Sequence, residues 1–111
     1  MRNQYLTFIE AIDSSGRRYF RSFVTDRLDS DDWTPNPNAN TSATPFAGIN
    51  NVTFDAGVTP WTTDISHGEM IRAGYDETLT IDPNNLQFLY QGTSSHPSSY
   101  IEIPWQLGLL H

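Results

Sequence analysis

Tyr5-Leu6-Thr7-Phe8-Ile9-Glu10-Ala11-Ile12-Asp13-Ser14-Ser15-Gly16-Arg17-Arg18-Tyr19-Phe20-Arg21-Ser22-Phe23-Val24 is the stretch that decides the fold class. Its first eight residues are rich in aromatic and β-branched side chains and alternate with period two. Leu6, Phe8 and Ile12 fall on one face, interrupted by Glu10, and Tyr5, Thr7, Ile9 and Ala11 fall on the other. Asp13-Ser14-Ser15-Gly16 is turn chemistry, and Arg18 to Val24 returns as a second strand. Residues 4–24 therefore predict a β-hairpin. It follows almost directly on Met1 with no lead-in, as expected of a chain whose fold begins upstream.

Further along, Asp29-Ser30-Asp31-Asp32 forms an acidic turn that Trp33 closes, starting another extended piece. Residues 34–45 hold three prolines and no apolar period, which predicts a long surface loop. Short strands are expected at Asn51 to Phe54, His67 to Ala73, Glu77 to Ile81 and Leu86 to Gln91. Turn signals at Ala56-Gly57, Ala73-Gly74 and Asp82-Pro83-Asn84-Asn85 separate them. No stretch of helical length keeps a helical period, and no internal repeat is detectable. The expected class is all-β, as a sandwich, barrel or propeller.

At 111 residues the chain has room for one domain. Hydrophobic residues at 37% and aromatics at 13% mark globular material. The net charge of −7 and six scattered basic residues argue against nucleic acid, whose phosphates need a basic face. An acidic surface rich in aromatics suits a neutral polar ligand such as a polysaccharide, and equally suits plain solubility. With no cysteine, neither a disulfide nor a thiolate metal site can form. No apolar run reaches the length of a membrane span, so no membrane partner is expected, and Met1-Arg2-Asn3-Gln4 does not open a signal peptide. The sequons Asn40-Thr41-Ser42 and Asn51-Val52-Thr53 would lie in surface loops of a secreted chain.

Thirteen carboxylates invite a glycosidase reading, because such enzymes place a pair about the scissile bond. Most have plainer roles: Asp29, Asp31 and Asp32 in a solvated turn, Asp13 and Asp82 as turn formers, Glu10 as a salt-bridged sheet residue. Composition and spacing identify no catalytic pair. His67, in Asp64-Ile65-Ser66-His67-Gly68-Glu69, reads as a metal ligand, a general base or a ligand contact, or else as a strand-edge histidine bonded to its neighbours. No second histidine stands at metal-pair spacing. Tyr100 and Trp105 flank Ile101-Glu102-Ile103-Pro104 after the loop Ser94 to Ser99. An aromatic beside such a loop can stack on a sugar, which favours Tyr100; Trp105 is expected to pack on the core.

Several runs carry a resemblance. Gln4-Tyr5-Leu6 with Glu10-Ala11, Gly16 to Ser22, Pro45-Phe46-Ala47-Gly48 and Asn51-Val52-Thr53-Phe54 look like successive runs of glycoside hydrolase family 62. Ser66 to Arg72, Leu86 to Gly92, Pro104-Trp105 and Leu107-Gly108-Leu109-Leu110 follow in the same order. The agreement spans residues 4–110, and the chain is thereby similar to the C-terminal portion of an α-L-arabinofuranosidase of that family.

The resemblance implies that residues 1–111 are a partial glycosidase catalytic domain, roughly the last one to two blades of a five-bladed β-propeller. It implies a secreted enzyme that releases arabinose side chains from arabinoxylan or arabino-oligosaccharide with inversion. The general acid, the base and the tuning aspartate would lie upstream of Gln4, in a missing N-terminal part of the domain, so the isolated chain should be inactive. Glu10 belongs to a structural Glu-Ala pair. His67 matches a histidine similar to a calcium contact near the propeller axis; calcium is not required for the chemistry. Tyr100 matches an aromatic of the substrate groove. Three departures stand out: Asn84 where the family often has cysteine, Ile101 where it has asparagine, and Gln106 where it has arginine. The alternatives are a non-catalytic carbohydrate-binding β-module and a structural β-domain.

Overall fold

The computed structural model describes residues 4–111. In chain order it contains β1 (Tyr5–Ile12), β2 (Arg18–Thr25), β3 (Thr34–Pro35), β4 (Ser66–Met70), β5 (Phe88–Gly92), a 3₁₀ turn (Tyr100–Glu102) and β6 (Gln106–Leu110). The strands form two three-stranded antiparallel sheets, β1-β2-β3 and β4-β5-β6. The all-β expectation holds.

The hairpin of β1 and β2 pairs Phe8 with Ser22 and Glu10 with Phe20, so these four side chains share one face. Asp13 closes its turn: Oδ1 accepts from the backbone N–H of Ser15 at 2.8 Å and of Arg17 at 3.0 Å, and Oδ2 accepts from Arg17 Nε at 2.8 Å. Gly16 takes a φ of 81°, the left-handed region that suits glycine. The Pro-rich loop folds back on the edge of β2. Ser22 N–H donates to Ala39 O, and Asn36 N–H donates to Ser22 O. Asn40 is only 7% exposed and its Nδ2 donates to Ser22 O, so the first sequon is a structural asparagine and not a surface acceptor.

A core of aromatic rings joins the sheets. Phe88 of β5 lies 5.1 Å from Phe20 of β2 in an edge-on contact, and within 6.0 Å of Phe8 and Phe46. Phe8 and Phe46 sit 4.5 Å apart. Further along the same face of β5, Trp61 stacks on Tyr90. Gly108 stands opposite Tyr90 in the register, where a Cβ would run into the tyrosine ring.

Three sequence expectations need correction. Asn51 to Phe54 and Glu77 to Ile81 are irregular, and the strand at His67 to Ala73 is displaced to Ser66–Met70. The first segment is tied locally instead, with Asn51 Oδ1 accepting from Gly48 N–H and Asn51 Nδ2 donating to Pro45 O. Gln106–Leu110 is a strand that the sequence pattern did not signal, because Gly108 interrupts the alternation where Tyr90 needs the space.

Candidate functional site

Glu10 lies on the inward face of β1, and a carboxylate there needs partners. Arg18, diagonal to it across the hairpin, donates from Nη1 to Glu10 Oε1 at 2.6 Å. The other partners come from β4: Ser66 Oγ donates to Oε1 at 2.9 Å, and the backbone N–H of His67 donates to Oε2 at 2.9 Å. Burial pushes the Glu10 carboxyl up, but the bonds from His67 N–H, Arg18 and Ser66 outweigh it and hold the group below its ordinary value of 4.5. Glu10 is thus the salt-bridged sheet residue expected, and it joins the two sheets. A general acid needs the opposite shift.

His67 sits in an irregularity of the β4–β5 register between Ser66 and Glu69, with a φ of 37°. Bulges of this kind re-aim a side chain. Its Nδ1 lies 2.8 Å from Ser66 Oγ and 2.9 Å from the Gln91 amide nitrogen. Gly68 is needed beside it, because a Cβ there would strike the Phe88 ring and approach Leu89 O to 2.8 Å.

Calcium takes six to eight oxygen ligands. Both Glu10 oxygens are engaged as above, and His67 offers one ring nitrogen, Nε2. No group of three or more His, Cys, Asp or Glu that could hold a metal occurs among the described residues. Among the described residues, Glu10 and His67 alone do not supply the oxygen ligands that calcium needs.

Asp64 is 1% exposed and fully engaged: Oδ1 accepts from Arg18 N–H at 2.9 Å, and Oδ2 lies 2.7 Å from His96 Nε2. Thr62 Oγ1 ties the same corner, donating to Asp64 O and accepting from the N–H groups of Asp64 and Thr93.

Tyr100 opens the 3₁₀ turn and is 53% exposed. Trp105 does not join the core as the sequence suggested. It is half-buried, with its ring 6.2 Å from Tyr100 and 6.3 Å from His67. Arg18 lies against both Tyr100 and Trp105 at 5.8 Å from each ring centroid. His67, Tyr100 and Trp105 are therefore brought to one surface over the Glu10–Arg18 pair. The sequence pattern did not single out Arg18, and it assigned Trp105 to the core and not to this surface. The signal for Arg18 was present in the hairpin, where a buried-face glutamate stands diagonal to an arginine. Two clefts, of about 430 Å³ beside Thr25 and Arg27 and about 250 Å³ beside Trp61 and Tyr90, lie away from these residues.

Two antiparallel sheets that meet under a polar, aromatic-rimmed surface define an all-β protein. The model of glycosyl hydrolase family 62 matches residues 1–111, and the chain belongs to that family. It is 53% identical over 108 residues to alpha-L-arabinofuranosidase C of Cellvibrio japonicus, covering 97% of this chain and 16% of that protein. It superimposes on a GH62 hydrolase solved in complex with xylotriose with a TM-score of 0.85 at 48% identity, over 95% of this chain and 31% of the other. The catalytic domain of the Coprinopsis cinerea GH62 α-L-arabinofuranosidase gives a TM-score of 0.86 at 46% identity, over 96% and 32%. The fold is that of the family's five-bladed β-propeller, of which this chain spans about a third.

Proposed function

We propose that this chain forms part of the catalytic domain of a secreted α-L-arabinofuranosidase that removes arabinose side chains from arabinoxylan with inversion. In this reading the chain supplies the groove wall and an inter-blade joint, while the acid and base come from the remainder of the domain. The observation that carries it is the 53% identity to an α-L-arabinofuranosidase over nearly the whole chain. The state of the carboxylates supports the division of labour. Glu10 and Asp64 are held by multiple partners, and hydrolysis needs an acid with a raised pKa and a base with access to water. Tyr100 is proposed as a groove residue, offering a ring face to a sugar. His67 is proposed to contact calcium, or a water of its shell, through Nε2, with the other ligands coming from elsewhere in the domain.

The test uses a complete family domain carrying residues 1–111, incubated with arabinoxylan and followed by NMR. The expected first product is arabinose with inverted anomeric configuration. Polymer binding without arabinose release would instead support the non-catalytic carbohydrate-binding module. Retained configuration would reject the inverting mechanism.

A further inference from the structure

The segment that presents Tyr100 and Trp105 has few anchors of its own. Its backbone bonds are local, from Glu102 N–H to Ser99 O, Ile103 N–H to Tyr100 O and Trp105 N–H to Ile103 O. No residue of the 3₁₀ turn is buried, and Ile101 is 90% exposed. Local bonds shape the turn but do not place it over the sheets. Arg18 does touch it from below. Its guanidinium carbon is within cation–π range of both rings, and the same guanidinium is braced by Glu10 at 2.6 Å. Glu10 is itself pinned by Ser66 and His67 of the second sheet, so the brace draws on both sheets.

We propose that Arg18 is a positioning residue for polysaccharide binding, holding Tyr100 and Trp105 as a two-ring stacking surface for a neutral sugar chain. Trp105 is then a second sugar contact beside Tyr100. This rests on the groove reading of Tyr100. A planar guanidinium suits the role because it can face two rings while its edge donates to a carboxylate; an ammonium is a point charge and cannot do both equally. A neutral polymer fits better than an acidic one, because the arginine charge is already matched by Glu10.

The experiment compares Arg18→Met, Arg18→Lys, Tyr100→Ala and the double variant Arg18→Met/Tyr100→Ala in a complete domain carrying this chain. Kd for an unbranched xylo-oligosaccharide is read by calorimetry, and kcat/KM is read on arabinoxylan and on an aryl arabinofuranoside. Arg18→Met is expected to weaken oligosaccharide binding about 2- to 30-fold, the span that cation–π contacts account for. Arg18→Lys should fall between Arg18→Met and the parent, and the loss on polymer should exceed the loss on the aryl substrate. In the Tyr100→Ala background Arg18→Met should cost clearly less, because one of the two rings it holds is gone and only Trp105 is left. Parent-like oligosaccharide binding by Arg18→Met, full additivity, or equal losses on the two substrates would each overturn the proposal. If Arg18→Met does not fold, Arg18→Lys carries the same comparison, since it keeps a cation beside Glu10 and loses only the plane. Unchanged binding by Tyr100→Ala would mark failure of the groove reading itself, separately from that of Arg18.

Discussion

His67 occupies the left-handed region with a Cβ, a conformation that costs about 1–2 kcal/mol for a residue other than glycine. It is held there by Glu10 on its N–H and by Ser66 and Gln91 at its ring. Replacing it separates the strain from the contacts. In a complete domain His67→Gly should melt as the more stable variant, by about 1 kcal/mol over His67→Ala, since both lose the ring and only alanine keeps the strain. Equal stabilities in urea melts would remove the strain from the account. Kinetics should divide His67 from Tyr100. Tyr100→Ala should weaken polymer use by about 1–3 kcal/mol and affect a small aryl arabinofuranoside less, because that substrate does not reach a rim residue. His67→Ala should lower kcat/KM on both substrates alike. Equal losses for both in Tyr100→Ala would sink the rim placement.

At the scale of elements, the β1–β2 hairpin depends on Asp13 and the second sheet on Gly68. The N–H of Arg17 chiefly, together with the Arg17 guanidinium and the N–H of Ser15, holds the Asp13 carboxyl below its ordinary value of 3.8 against the opposing effect of burial. A depressed folded pKa means that the stabilisation is present above the unfolded value and is lost as pH falls through the folded one. Asp13→Asn should therefore lower the melting temperature of the complete domain near neutrality, and its curve should converge on the parent's as pH falls below the ordinary carboxyl value of 3.8. Curves that stay parallel to the lowest pH would exclude Asp13 as a contributor. Gly68→Ala forces a methyl group into Phe88 and toward Leu89 O, in backbone that cannot yield without moving β5. A loss of about 1–3 kcal/mol is expected from the overpacking, read from urea unfolding.

The whole molecule is extended for its length. Its radius of gyration is 15.1 Å, against about 13 Å for a compact domain of this size. Ile9 and Tyr5 on the outer face of β1, and Leu107 and Leu109 on β6, leave apolar side chains in solvent. Such faces and open strand edges are association surfaces unless covered. The 111-residue chain alone should self-associate and release no arabinose from arabinoxylan. Light scattering with calorimetry checks the first point and reducing-sugar assay the second. A monomer with a sharp cooperative melt would favour an autonomous module, and turnover abolished by Glu10→Gln would overturn the structural role given to that carboxylate.

The hairpin was legible from sequence because period-two alternation and the Asp13-to-Gly16 turn are local signals, and the strand bounds Tyr5–Ile12 follow from them. The all-β class and the family were legible for the same reason: they reside in the order of residues along the chain. What tertiary structure alone decided lies between distant residues. Glu10 finds Ser66 and His67 across 56 and 57 positions, Arg18 reaches Tyr100 and Trp105, and Asn40 turns inward to Ser22. No periodicity encodes such contacts, because each depends on how two sheets dock and not on the pattern of either. Gln106–Leu110 is the same case at the level of a strand: its glycine looks like a break until Tyr90 is placed opposite it.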